Sequence, residues 1–440
     1  MHRQGTAMLS NLLRRFFGDR RGNVAIIFAL SLVPIILLTG LALDFTAATQ
    51  KRAELDAAAD AAALAAVTPE MMNQTVAAAT TAAANIFNAQ ASGISGLTYN
   101  PPVVNVTASG LTRTVTVSYT ANSANWVPSV LGQQNWAISG TATATATVAP
   151  NINFYLLLDN SPSMNIAATT AGINTMVANT SAQGGCAFAC HESHPSADNL
   201  GNPNGVDNYT LAAQLGVVTR IQNMATATQA LMSTAQAMET SNNAQYQMAI
   251  YTFNVSGLST IQLLTSNLAN AQAAAANINV LEVYSNNWLT KDNNNNDTDT
   301  DFEAAMSQIN SIMPNPGTGT AGSTSQEVLF IVTDGVDDEV SSTCSQQLDG
   351  SRCQQPFDTT WCTTVKNRGI YIAVLYTVYL PLPTNAWYNN WIAPFQSEIS
   401  PNLESCASPG LFFSVTTDGD ITAAMQTLFQ EAIATARLSQ

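Results

Sequence analysis

A run of twenty residues without a charged side chain, Val24–Leu43, lies near the N-terminus of the chain. At the 1.5 Å rise of an α-helix, a run of this length crosses the ~30 Å hydrocarbon layer of a bilayer. We therefore expect a transmembrane helix over residues 23–43, in which Pro34 is tolerated.

Basic residues are concentrated before this run. Of the fourteen lysines and arginines in the chain, five precede residue 24 and only seven lie beyond residue 52. The positive-inside rule therefore predicts a cytoplasmic tail over residues 1–22, with the rest of the chain exported. The net charge is −15, and the exported part has no basic face for phosphates, which excludes nucleic acid as a partner.

A cleaved signal peptide is the alternative interpretation of the apolar run. The apolar part of such a peptide is normally shorter, ~7–15 residues, and is followed by small residues at the cleavage site. Thr39, Gly40 and Ala42 are small and stand near the end of the run. Cleavage there would release the rest of the chain as a secreted protein.

The next hundred residues change from a helical to a strand-like pattern. Residues 44–97 are rich in alanine, the strongest helix former, and predict a helical stalk. We expect a second helix there over Pro69–Ala91, because Thr68 can cap it and proline suits its first position. In residues 98–150 apolar and hydroxyl side chains alternate, as in Thr114–Tyr119, which predicts a β-rich connecting segment.

From Asn151 onward, apolar runs alternate with helical stretches. This predicts an α/β domain over residues 151–440 with a doubly wound, mainly parallel sheet, interrupted by insertions near 166–208 and 343–367. Such sheets bind ligands beyond the carboxyl ends of their strands, where the strand order reverses. The expected strands are Phe154–Leu158, Gln247–Phe253, Val328–Thr333, Tyr371–Thr377 and Leu411–Val415, and the expected helices are Leu211–Glu239, Asn267–Ala276, Phe302–Ile312 and Ile421–Ala434.

Oxygen-bearing side chains directly follow two of the expected strands. Asp159, Ser161 and Ser163 lie on alternate residues after the first strand, and Asp334 follows the third. Thr300 opens an expected helix and could add a hydroxyl from another loop. Oxygen ligands suit hard divalent cations, and because hydroxyls are weak neutral ligands, such a site keeps water or an open position. The alternative is an ordinary turn, since Asp, Asn, Ser and Pro all form turns.

The pattern Asp-x-Ser-x-Ser, a threonine before a helix and a strand ending in Thr-Asp-Gly resembles the metal-ion-dependent adhesion site of von Willebrand factor type A domains. The resemblance covers roughly residues 151–440. It implies Mg²⁺, or else Mn²⁺ or Ca²⁺, and a protein partner that offers an acidic side chain. Pro162 departs from the glycine that is common at its position. The metal-contacting residues implied by the resemblance are Asp159, Ser161, Ser163, Thr300 and Asp334.

Residues 20–67 resemble the N-terminal module of TadE/TadG-like pilus-assembly proteins, which belong to the tight-adherence (Flp pilus) system of bacteria. The resemblance is carried by Arg20–Ala25, the apolar run, Asp44 and the stretch Ala57–Ala65. Together with a type A head it implies a TadG-type protein in the bacterial inner membrane, single-pass, with its bulk periplasmic or extracellular. Related prepilins have Glu five residues after the cleavage glycine. Here Ile27 is the fifth residue after Gly22, which favours an uncleaved anchor.

Six cysteines in an exported chain favour disulfides, but they allow fifteen pairings and the sequence does not choose among them. Cys186 and Cys190, with His191 and His194, could instead hold zinc. The three residues between Cys186 and Cys190 depart from the Cys-x-x-Cys-His spacing of haem attachment. The disulfide candidates are Cys186, Cys190, Cys344, Cys353, Cys362 and Cys406.

The sequence contains no obvious nucleophile–base pair and no glycine-rich phosphate loop, so we expect a binding protein and not an enzyme. The expected function is a membrane-anchored pilus-assembly or adhesion component whose head binds a protein partner through a divalent metal. The expected partners are other pilus-assembly components. The alternatives are a secreted adhesin released by cleavage and a Cys/His envelope protein that binds metal or haem.

Overall fold

The computed structural model describes residues 22–126, 134–181, 185, 206–283, 298–320, 323–341, 344, 348, 352–383 and 385–438. The chain divides into two compact units, residues 1–146 and 147–440, here called the N-terminal unit and the head. Cys186, Cys190, His191 and His194 lie outside the described residues, so the disulfide, zinc and haem alternatives for them stay predictions.

Helix α1 (Gly22–Ala65) opens the N-terminal unit and is continuous over 44 residues, including Pro34. It contains the whole charge-free run, and most side chains of that run are exposed, Leu30 and Leu38 among them. Its length and composition are sufficient to cross a membrane. Because so much apolar surface is unfavourable in water, the helix suits membrane anchoring.

The rest of the N-terminal unit consists of two helices followed by an antiparallel sheet. Strand β3 lies in the centre of the sheet, paired with β1 and β2 and with β4. The helix expected over Pro69–Ala91 is interrupted at residues 73–75, because Thr75 caps a new helix by accepting a hydrogen bond from the N–H of Ala78 at 3.2 Å. The elements are α2 (Pro69–Met72), α3 (Val76–Ala91), β1 (Leu97–Tyr99), β2 (Val103–Ser109), β3 (Thr112–Ala124) and β4 (Asn135–Thr147).

Alanine side chains join α1 to the rest of this unit. Ala58, Ala62 and Ala66 are fully buried, in one apolar cluster with Phe87 of α3 and Tyr119 of β3. Such small side chains let α1 approach its neighbours closely and still pack without voids. The predicted stalk and the predicted connecting segment therefore share one hydrophobic core.

The head is a mixed α/β unit. Its strands are β5 (Ile152–Asp159), β6 (Tyr246–Asn254), β7 (Gly257–Thr265), β8 (Gln326–Thr333), β9 (Val336–Val340), β10 (Arg352–Pro356), β11 (Tyr371–Thr377) and β12 (Phe412–Val415). Its α-helices are α4 (Thr170–Asn179), α5 (Asn208–Gln214), α6 (Arg220–Asn242), α7 (Leu268–Ala275), α8 (Phe302–Ile312), α9 (Thr360–Asn367), α10 (Gln396–Cys406) and α11 (Ile421–Leu438).

The central sheet of the head has the strand order β7-β6-β5-β8-β11-β12, in which every pair is parallel except β6 with β7. The chain runs outward from β5 to β7 and returns to β8, so the order reverses between β5 and β8. Leu156 and Phe330 pack under α6, α7 and α11, while Leu157 and Ile331 on the other face pack under α8, α9 and α10. The predicted doubly wound, mainly parallel sheet is confirmed.

Several local features of the head differ from the expected pattern. The expected helix Leu211–Glu239 consists of α5 and α6, separated at Gly216, whose positive φ of 69° ends the first of them. The antiparallel edge strand β7 follows β6 directly. The expected insertion near 343–367 carries strand β10, which pairs antiparallel with β9 from Arg352↔Val340 to Pro356↔Val336, and helix α9.

Two disulfides hold this part of the head. Cys344, between β9 and β10, bonds to Cys353 of β10. Cys362 of α9 bonds to Cys406 at the end of α10. Both bridges join residues that the sequence marked as disulfide candidates, and their pairing is set by the structure alone.

Candidate metal site

The two carboxylates of the predicted site lie at the point where the strand order reverses. Asp159 is the last residue of β5, and Asp334 directly follows β8, its parallel neighbour. Leu158 pairs with Val332, which brings the two strand ends level. Both aspartates are fully buried. The sheet therefore places two charged groups together where such sheets bind ligands.

The loop after β5 gathers its hydroxyls around Asp159. Oδ1 of Asp159 accepts hydrogen bonds from the N–H of Ser161 at 3.0 Å and from the Ser161 hydroxyl at 2.6 Å. The Ser161 and Ser163 hydroxyl oxygens are 3.1 Å apart. Pro162 opens the short 3₁₀ turn Pro162–Asn165, which its fixed φ suits, and is buried there. Proline in place of glycine is therefore compatible with this loop.

Asp334 has an oxygen atom without a partner. Its Oδ2 is buried and accepts no hydrogen bond from any described residue. Its Oδ1 accepts a long one, 3.4 Å, from the N–H of Val336. Gly335 turns the chain away with φ of 79°, and a Cβ there would lie 2.5 Å from Ile399 Cγ2. A buried oxygen of this kind is costly unless another group or ion fills the space beside it.

Burial and mutual repulsion dominate the electrostatics of the pair. Burial, and then the nearby charge of Asp334, raise the pKa of Asp159 to about 7, against hydrogen bonds from Ser161 and Thr333 that lower it. Burial also raises the pKa of Asp334, against the opposing effects of the nearby Ser163 hydroxyl and the charge of Arg220. Neither carboxylate forms an ion pair with a described residue. The pair therefore favours binding a proton or a cation.

Two further residues shape the site and were not singled out in the sequence. Thr333 donates a hydrogen bond to Asp159 Oδ2 at 2.6 Å and accepts one from the N–H of Gly335 at 3.0 Å. Arg220, at the start of α6, is buried and donates to the carbonyl oxygen of Val378 at 2.9 Å. A polar residue at the end of an apolar strand was the available signal for Thr333. Nothing local marked Arg220.

The loop that carries Thr300 is fastened to the segment after Asp334. Thr300 and Asp338 exchange backbone hydrogen bonds, both at 3.0 Å. The N–H of Phe302 donates to Asp337 Oδ1 at 2.9 Å, and Asp301 caps α8. The described hydrogen bonds of Thr300 run to Asp338 through the backbone and do not reach the other four predicted ligands. Its role as a ligand therefore stays a prediction.

A buried ion pair reinforces this fastening. The Nε of Arg352 donates to Asp338 Oδ1 at 2.7 Å, its Nη2 contacts Asp338 Oδ2, and Asp299 Oδ2 lies 3.5 Å from Nη2. The guanidinium also lies over the Trp387 ring, 5.7 Å from its centroid. Arg352 thereby links β10 to the Thr300 loop.

The donor set fits a hard cation. Within the described ranges, no group of three or more His, Cys, Asp or Glu side chains is placed to hold a metal. The candidate set instead combines two carboxylates with serine hydroxyls, all of them oxygen donors. Mg²⁺ accepts such a set when water completes its coordination, and the unpartnered Oδ2 of Asp334 is a free acceptor for it.

A family model matches part of the chain. Residues 22–85 match the family model Tad, described as "Flp pilus-assembly TadE/G-like". The N-terminal segment is thus TadE/G-like. This agrees with the resemblance seen in the sequence and with an apolar helix that suits anchoring. No curated protein matches the chain.

Three solved structures are similar to the chain at low sequence identity. The von Willebrand factor domain of the type V pili tip protein Mfa5 from Porphyromonas gingivalis is 10% identical, with TM-score 0.36, 67% of this chain and 99% of that chain covered. The pilus adhesin SpaC from Lactobacillus rhamnosus GG is 12% identical, with a TM-score of 0.34. The match covers 78% of this chain and 34% of that chain. The VWA domain of SpRpn10 is 9% identical, with TM-score 0.30, 64% and 95% covered. The fold class rests on the strand order and on the helices that cover both faces of the sheet.

Proposed function

We propose that this protein is a membrane-anchored pilus-assembly or adhesion component whose head binds a protein partner through a divalent cation. The cation is held by Asp159, Ser161, Ser163 and Asp334, with Thr300 as the fifth ligand. Mg²⁺ is the ion we favour, and Mn²⁺ or Ca²⁺ would suit the same oxygen donors. The role is binding and not catalysis.

The observation that carries this proposal is the pair of buried carboxylates at the end of β5 and β8. Asp159 and Asp334 repel each other, form no ion pair with a described residue, and leave Asp334 Oδ2 without a hydrogen bond. A bound dication would supply the missing positive charge and stabilise both carboxylates in their ionised form.

The ligand set also explains why an acidic side chain would be the partner's contribution. Two carboxylates and neutral hydroxyls leave the coordination of a hard cation incomplete, so water or an outside oxygen has to complete it. A carboxylate from another protein is a stronger ligand than water because it also neutralises charge. Ser161 donates to Asp159 and its hydroxyl lies within hydrogen-bond distance of the Ser163 hydroxyl, which leaves the site preorganised for that partner.

The N-terminal unit would keep the head at the inner membrane. Helix α1 is the anchor, the basic residues before it orient residues 1–22 to the cytoplasm, and the head lies on the other side. The TadE/G-like match of residues 22–85 supports a place in pilus assembly. N-terminal sequencing of the mature protein distinguishes this anchored form from a secreted adhesin.

The proposal is tested by partner capture with and without chelator. Purified full-length protein carrying Asp159→Ala should lose metal-dependent capture of pilus-assembly components while still being exported. Glu398→Gln, an exposed carboxylate on α10, serves as the matched control and should capture as the unchanged protein does. Capture that persists in chelator, or that survives Asp159→Ala, would contradict the metal-dependent mechanism.

A further inference from the structure

The end of strand β3 is tied to α1 at the point where the charge-free run stops. Asp44 is the first charged residue after Leu43, and its side chain is buried. Its Oδ1 accepts a hydrogen bond from the backbone N–H of Trp126 at 2.6 Å. The end of β3 therefore lies at the same level along α1 as the end of the apolar run.

Further contacts show that β3 runs antiparallel to α1. Lys51 Nζ donates to Ser123 Oγ at 3.1 Å, and the Tyr119 hydroxyl donates to Asp56 Oδ1 at 2.5 Å. The spacing of these contacts is similar on the two elements. The twelve residues from Asp44 to Asp56 rise about 18 Å along the helix, and the seven residues from Tyr119 to Trp126 span about 23 Å along the strand. Along the chain, α1 runs away from the apolar run, whereas β3 runs toward it.

Aromatic and apolar side chains are exposed at this level. The side chain of Trp126 is 81% exposed, Phe45 58% and Leu43 59%. The ring of Trp136, from β4, meets the ring of Phe45 edge-on with centroids 5.7 Å apart. Phe45 and Trp136, together with Trp126 whose backbone N–H is bonded to Asp44, lie at the level of the last residue of the apolar run and are here called the aromatic patch.

We propose that this patch docks on the surface of the bilayer that α1 crosses, with the Trp126 ring among the phospholipid headgroups. Tryptophan is enriched at membrane–water interfaces, because its ring is apolar and its indole N–H needs a polar partner. The patch is continuous with the surface that lipid covers along α1, which favours lipid over a protein as its occupant. The proposal rests on α1 as the membrane anchor and does not involve the metal site.

Fluorescence quenching by brominated lipid tests this directly. The full chain is reconstituted in phosphatidylcholine vesicles brominated either near the glycerol end or near the tail end of the acyl chains. The emission of Trp126 is obtained by subtracting the spectrum of a Trp126→Phe variant. We expect that emission to be quenched more by the shallow bromines than by the deep ones, and to be protected from iodide in the water.

A second variant moves the indole to the far end of the sheet. Ser109 is exposed and pairs with Thr112 at the opposite end of β3, so Trp126→Phe with Ser109→Trp should show no quenching by either lipid. Equal quenching at both positions would overturn the proposal. A Trp126 emission that is protected from iodide but insensitive to brominated lipid would overturn it too, because a protein partner or a second copy would then cover the ring. Flotation of the vesicles checks the anchoring separately.

Discussion

Two neighbouring regions of the head contain buried carboxylates that differ in the partners the chain provides. Asp338 receives the guanidinium of Arg352, with Nε and Oδ1 2.7 Å apart, inside a network that includes Asp299. Asp159 and Asp334 have only hydroxyls and N–H groups as described hydrogen-bond partners, and no ion pair.

The difference separates a structural pair from a binding site. Where the chain supplies its own cation, the charge is neutralised permanently and the Thr300 loop is fastened to β9. Beside Asp159 and Asp334, the charge of Arg220 lowers the pKa of Asp334, but Arg220 forms no described ion pair with either carboxylate, and we propose that a cation from solution completes this site. The two regions should therefore respond in opposite ways to the loss of a charge.

The largest effect should come from Arg352→Gln. This change leaves Asp338 and Asp299 without their cation, and removing one partner of a buried pair lowers the free energy of unfolding by about 3–5 kcal/mol. The matched control is Arg52→Gln, whose pair with Asp56 is exposed and 3.8 Å long, and which should cost about 1 kcal/mol or less. Urea unfolding of the unit that carries each change gives both values. Equal costs would show that Arg352 is not a structural cation.

The next effect concerns pH in the absence of metal. The pKa of Asp159 is raised from 3.8 to about 7 in the folded protein, so its contribution to stability is present below pH 4 and is lost as the pH rises through 7. The metal-free head should therefore unfold more easily at pH 8 than at pH 5, by a few kcal/mol at most, on the order of 1.4 per pKa unit. Saturating Mg²⁺ should remove the part of this loss that comes from Asp159, whereas Glu327, whose pKa burial raises to about 8, should keep its own pH dependence. A head whose thermal midpoint does not respond to Mg²⁺ at pH 8 would argue against the site.

Asp334→Asn should act in the opposite direction to Arg352→Gln. It removes one of two repelling buried charges, so the metal-free head should gain about 1–2 kcal/mol at pH 8 while losing its response to Mg²⁺. Denaturant titration with and without Mg²⁺ measures both quantities. A destabilised variant that still responds to Mg²⁺ would mean that Asp334 stabilises the fold, as Asp338 does, and does not bind the cation.

The smallest effect is expected for Thr333→Val. The change removes the hydroxyl that donates to Asp159 Oδ2 at 2.6 Å, which should cost about 1 kcal/mol and raise the pKa of Asp159 further. The pH at which Mg²⁺ binding is half-maximal should therefore rise. An unchanged pH dependence would exclude Thr333 as a partner of this carboxylate.

Much of the head could be predicted from sequence because its strands are continuous apolar runs in a parallel sheet. Asp159 and Asp334 follow such runs directly, so their meeting at one sheet edge follows from strand order. Arg352 could not be found this way. It sits in a polar segment, and its pairing with Asp338 depends on the β9–β10 hairpin, which has no apolar period.

In the N-terminal unit, too, the sequence predicts the elements but not the contacts between them. Alanine-rich sequence predicts a helix but not its neighbour, because a small side chain gives no sign of what packs on it. Only the structure shows that Ala58 and Ala62 meet Phe87 and Tyr119 in one core. Likewise Thr300 lies two residues before α8, whose N-cap is Asp301, and its distance from the other predicted ligands depends on loop contacts that no local pattern encodes.

The most direct measurement is a crystal structure of the protein with Mn²⁺, using its anomalous signal to locate the ion. We expect one peak between the end of β5 and the end of β8, beside the carboxylates of Asp159 and Asp334 and the hydroxyls of Ser161 and Ser163. No peak at that place in crystals that hold Mn²⁺ elsewhere, or a peak beside Asp338 instead, would contradict it.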